Sequence, residues 1–172
     1  MTFMTKVRSA SSFASAVTAT GFWAGQTVGR IGLSFVTAKL GEFRSVLIYL
    51  VICLGLELIF WFVPSLVVSA VGVALLGVFI GPLFPTAIIV VTKVLPRHLH
   101  VSSIGFGTAF GGSGGAIVPF IVGAIAQAKG VRSLQPLVLA ILGTITGLWL
   151  LLWRLTWSKK KREEPKELVT SN

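Results

Sequence analysis

Apolar residues run along this chain in five long stretches, at about residues 11–36, 45–62, 66–91, 101–126 and 137–157. Each is close to the roughly 20 residues a helix needs to cross the hydrocarbon of a bilayer. The gaps between them read TAKLGEFR, VPS, TKVLPRHLH and QAKGVRSLQP, with the proline, glycine and charge that mark helix boundaries. The pattern predicts an all-α membrane protein: five transmembrane helices within residues 1–157, then a basic tail over 158–172. The opening MTFMTKVRSASSFASAV is basic and serine-rich like a cleavable address. Its apolar character continues unbroken through TATGFWAGQTVG, however, which reads as a genuine span.

The faces of these helices are not uniform. In the first, Gly21, Gly25, Gly29 and Gly32 recur every three or four residues and so share one stripe. Small residues let helices approach closely in lipid, where hydrophobicity gives no drive for association. The other side carries Trp23, Gln26 and Arg30, the last two one turn apart. The fourth helix, in IGFGTAFGGSGGAIVPF, repeats the device with Gly107, Gly111 and Gly115, flanked by Thr108, Phe110 and Ser113. A phosphate-binding loop is excluded there: the run has no Gly-Lys-Ser/Thr, and no acid follows at the spacing of a dinucleotide fold. Interleaved Phe106, Phe110 and Phe120 exclude a flexible linker. The third helix contains GVFIGPLFPT, where Gly81, Pro82 and Pro85 predict a bend, since proline removes backbone hydrogen bonds. Glu57 lies deep in the second helix. An ionised carboxylate there costs several kcal/mol, so it reads either as a proton carrier or as a neutral hydrogen-bonding group between helices.

Composition narrows the class. Of 172 residues, 54% are hydrophobic and 12% charged, against about 25% charged in soluble domains. There is no Asp, and the acidic residues are Glu42, Glu57, Glu163, Glu164 and Glu167. The net charge of +10 sits in the gaps and the tail rather than along a stripe, which fits membrane flanks and not nucleic acid. With the C-terminus in the cytoplasm, Lys39, Arg44, Lys93, Arg97, Arg154, Lys159, Lys160, Lys161, Arg162 and Lys166 fall on the inner side. Only Lys6, Arg8, Lys129 and Arg132 then face outward. The single cysteine, Cys53, reads as a small core residue, and His98 and His100 lie two apart, the wrong spacing for a helical metal pair. No metal or cofactor is expected. No nucleophile and base stand at a working spacing, so an enzyme is not expected either.

In this order the helices resemble the C-terminal half of a major facilitator superfamily transporter. GFWAGQTVGRIGLSFVTAKLGEFRSVLIYL is similar to the eighth helix, its short loop and the start of the ninth. GPLFPTAIIVVTKVLPRHLHVSSIGFGTAFGGSGGAIVPFIVGAIAQAKG resembles helices ten and eleven of a fungal branch, the bypass-of-stop-codon type, itself similar to the fucose permease group. The resemblance implies a twelve-helix inverted-repeat fold working by alternating access, with the N-terminal half and the seventh helix outside this sequence and MTFMTKVR similar to the exit of that helix. It also implies that the first, third and fourth helices line the cavity and the second and fifth lie outside. Gln26, Thr86, Thr108, Phe110 and Ser113 then become substrate contacts, and Arg30, Glu57, Gly81, Pro82 and Pro85 candidates for gating or proton coupling. Partners would be the bilayer, a small-molecule substrate with or without a proton, and the missing half, in a plasma membrane. The TAKLG loop lacks the acid of the family's loop motif, which weakens the expectation of a charge lock there. The alternative class is a non-transporting membrane protein, either truncated or pairing through its glycine faces.

Overall fold

The computed structural model describes residues 11–130 and 133–170, with side chains through Ser158. Lys6, Arg8 and Arg132 lie outside the described residues. The chain forms helices throughout: α1 (Ser12–Leu40), α2 (Glu42–Phe62), α3 (Leu66–Ile80), α4 (Leu83–Val94), α5 (His100–Lys129) and α6 (Leu134–Thr170), with a 3-10 turn over Arg97–Leu99. The boundaries follow local chemistry. The Ser11 side chain caps α1 by accepting from the Ala14 amide at 3.1 Å. Gly41, at φ 86°, makes a one-residue turn from α1 into α2, a left-handed backbone that suits glycine. Pro64 separates α2 from α3, Pro96 precedes the 3-10 turn, and Gly130 closes α5 at φ 83°.

The bend expected in the third apolar stretch is a full break, and the end of the fifth differs from the sequence reading. The third apolar stretch is two helices, because the regular hydrogen-bond pattern lapses at Gly81–Pro82. The fifth runs on through the basic tail to Thr170 as one helix. Among the described residues four helical segments are long and apolar enough to cross a membrane: Glu42–Phe62, Leu66–Val94, Arg97–Lys129 and Leu134–Ser158. α1 has the length, with 29 residues, but its many Ser, Thr and Gly residues lower its hydropathy.

The helices are arranged around α3. α1 and α3 form the closest pair and run parallel, while α2 packs against both. α6 lies antiparallel along α2: Phe43 meets Trp149 near one end, and Cys53 meets Leu142 further along. The buried residues of α2 are Ser45, Val46, Tyr49, Leu50, Cys53, Glu57 and Phe60, a stripe at three- and four-residue steps. α5 leans on α4 and only lightly on α6, and it buries no residue. Elsewhere the surface is apolar, with Phe13, Trp23, Phe35, Phe62 and Trp157 well exposed, as lipid-facing residues are.

Candidate functional site

The site is built on the glycine stripe of α1. Gly25 and Gly29 press on the backbone of Ala74 and Val78 of α3, and in return Gly77 and Gly81 press on Phe22 and Gln26 of α1. A methyl group on any of the four would strike a backbone carbonyl, so the two helices touch main chain to main chain. Gly21 stands back slightly, with room for ordinary contact against Ala74, and Gly32 faces open space. The reciprocal four-residue spacing brings Cα–H groups against carbonyl oxygens, a weak but repeated attraction.

At one end of this seam α3 breaks. Gly81 hands its amide to the Gly77 carbonyl at 2.9 Å, but its own carbonyl would bond the amide of residue 85, and proline has none. Arg30 fills that vacancy: its Nε donates to the Gly81 carbonyl at 3.3 Å. A freed carbonyl inside a membrane needs such a partner. The break therefore unites five candidates from the sequence: Gln26 and Arg30 on α1, and Gly81, Pro82 and Pro85 across from them. Thr86, one residue on, is buried.

The remaining candidates stand apart from that cluster. Thr108 lines a groove of about 240 Å3 between α4 and α5, together with Phe84, Ile88, Ser103 and Gly107. Phe110 is exposed and packs on Phe106, their ring centroids 4.5 Å apart. The hydroxyls of Thr108 and Ser113 are already spent on carbonyls of their own helix, at 2.8 to 2.9 Å, which lets a polar residue sit in lipid without another partner. Added side chains at Gly107, Gly111 and Gly115 would meet open space. The close packing expected of those three glycines is not formed among the described residues: α4 stands off from Gly107 across the groove, and nothing described lies within 4 Å of a Cβ at any of the three. Glu57 is buried on the α2 stripe between Cys53 and Phe60, and among the described residues no basic side chain pairs with it.

The match to known proteins decides the class. The family model described as Major Facilitator Superfamily matches residues 1–171. The chain belongs to the Major Facilitator Superfamily. It is similar to "Bypass of stop codon protein 6" of Saccharomyces cerevisiae, at 35% identity over 159 residues, 87% of this chain and 32% of that protein. It is also similar to the "Glucose/mannose transporter GlcP" of Bacillus subtilis, at 30% identity over 111 residues, 63% of this chain and 27% of that one. The chain thus spans about a third of the length of the curated relatives it matches. No solved structure matches it significantly. As a superfamily member it is a multi-pass membrane protein and not an enzyme.

Two polar contacts escaped the sequence. Lys93, at the end of α4, donates to the Glu42 carboxylate at 2.5 Å and ties that end to the start of α2. The superfamily loop acid missing from TAKLG thus has a neighbour that forms an ion pair just past Gly41. The signal was present, an acid after the turn and a lysine 51 residues on, but nothing in the sequence aligned them. Nearby, the Tyr49 hydroxyl sits 3.1 Å from Thr37 Oγ1 and donates to the Leu33 carbonyl at 3.2 Å, pinning α2 to α1.

Proposed function

We propose that the chain forms the C-terminal wall of a transporter that moves a small, uncharged, sugar-like solute by alternating access. In this reading α1, α3, α4 and α5 face the cavity, α2 and α6 lie outside, and the remaining length of a full superfamily protein supplies the opposite wall. The observation that carries it is the seam ending in a break: backbone-to-backbone contact lets α1 and α3 move as one body, while the interruption at Gly81–Pro82 lets α4 swing. A helix broken where it lines a cavity is the usual origin of a transporter binding site.

Gln26 and Thr86 near the break, and Thr108, Phe110 and Ser113 on α5, are the proposed solute contacts. Their uncharged character supports a neutral solute, and the similarity to the Bacillus subtilis glucose/mannose transporter supports a hexose. α5, with no residue buried, supports a wall that awaits the other half. The end carrying Lys39, Lys93 and Arg97 lies in the cytoplasm of a plasma membrane, following the positive-inside rule. The test is uptake of radiolabelled glucose and mannose by cells lacking hexose carriers. The 172-residue chain alone is expected to give no saturable uptake, and co-expression with a superfamily N-terminal half is expected to restore it. Saturable uptake by the chain alone would overturn the two-wall requirement. Silence of both, with α5 captured in a stable homo-oligomer, would favour a helix-packing module.

A further inference from the structure

A second site lies on the opposite flank, between α2 and α6. Where the helices meet, Trp149 Nε1 donates to the Phe43 carbonyl at 3.1 Å, and the two rings lie 5.6 Å apart. Next to that contact is a groove of about 490 Å3 lined by Arg44, Leu150, Trp153, Arg154, Trp157 and Ser158. A smaller groove of about 270 Å3 shares Arg44, Trp153 and Trp157 and is bordered by Glu42, whose carboxylate is taken by Lys93. Arg44 and Arg154 are exposed, and among the described residues neither has an ion-pair or hydrogen-bond partner. The groove thus offers two unsatisfied guanidinium groups above an apolar, aromatic wall. It lies at the end of the bundle where the other basic residues collect.

We infer that this groove binds the phosphate headgroup of an anionic phospholipid, independently of which solute the transporter carries. Guanidinium groups meet phosphate oxygens with paired hydrogen bonds. Tryptophans are at home at the depth where chains meet headgroups. Leu150, one turn deeper than Arg154, leads from the groove towards the hydrocarbon, where an acyl chain continues, while Trp153 and Trp157 wall the headgroup at the level of the two arginines. A second copy of the chain is a poor occupant. Its Glu163, Glu164 and Glu167 stand among Lys159, Lys160, Lys161, Arg162 and Lys166 and bring no net negative charge.

The test is native mass spectrometry of the full chain released from nanodiscs of phosphatidylcholine with about one fifth phosphatidylserine. The wild-type chain is expected to retain phosphatidylserine in preference to phosphatidylcholine. At the strength of a basic residue near an anionic surface, Arg44→Gln or Arg154→Gln alone lowers that preference about fivefold, and the pair about 25-fold. Both side chains are exposed, so the variants are expected to keep the wild-type melting temperature. A triple change of Lys159, Lys160 and Lys161 to Gln is expected to leave the preference in place. Four results would overturn the site: unchanged preference in the double variant; equal loss in the lysine variant, which would assign it to the tail; full displacement by millimolar inorganic phosphate, which would make it a soluble-anion site; or a loss that tracks dissociation of a dimer.

Discussion

Gly29 and Gly32 stand one turn apart on the same helix and face opposite fates. Gly29 meets the Val78 main chain, which cannot yield as a flexible side chain would, whereas Gly32 meets nothing. Gly29→Ala is therefore expected to destabilise the chain by about 1–3 kcal/mol, as overpacking does. Gly32→Ala is expected to be neutral or to stabilise by up to about 1 kcal/mol by removing a helical glycine. Thermal melting in a single detergent checks both. Ser45 offers a second contrast. It is fully buried on α2, and among the described residues its hydroxyl has no hydrogen-bond partner. An unsatisfied buried hydroxyl costs roughly 1–3 kcal/mol, so Ser45→Ala is expected to leave the melting temperature unchanged or raise it.

The seam between α1 and α3 shows what the apolar pattern makes legible and what it leaves out. Glycine periodicity on α1 was legible because both its spacing and its partner lie in this chain. The same periodicity on α5 pointed to a neighbour that the described residues do not contain. Hydrophobic runs also cannot show that Gly81 loses its acceptor role within the helix, since that depends on Pro85 four residues on and Arg30 from another helix. This dependence makes a cycle of mutations informative. Arg30→Met removes the donor and is expected to cost about 1–3 kcal/mol. In a Pro85→Ala background an amide becomes available to the Gly81 carbonyl, and the same change is expected to cost less than half as much. Equal costs in both backgrounds would mean that Arg30 acts through some other contact.

Among the described residues few polar ties hold the bundle together. The Lys93–Glu42 pair is partly exposed, at 60% and 20% for the two side chains, so it is worth only about 0.2–1 kcal/mol of stability. On the proposed function its larger effect is on transport: Glu42→Gln in a complete transporter is expected to raise the rate at which the end carrying this pair opens, read as faster exchange of labelled solute. Glu57, buried away from the break, is expected to be structural, so Glu57→Gln should keep both saturable uptake and its pH profile. Loss of pH dependence would assign it to a proton route. The parallel pairing of α1 with α3 also bears on how the chain enters the membrane. Arg30 and Gly81 are separated by 51 residues, so α1 leaves the ribosome before the helix that completes it exists. At about 5–20 residues per second the delay is roughly 3–10 s. During that interval α1, more polar than any of α2 to α5, has α2 as its described neighbour, through the Tyr49 contacts with Thr37 and Leu33 and the packing of Ala14 on Phe60. Within this chain the seating of α1 is therefore retroactive, secured by α3.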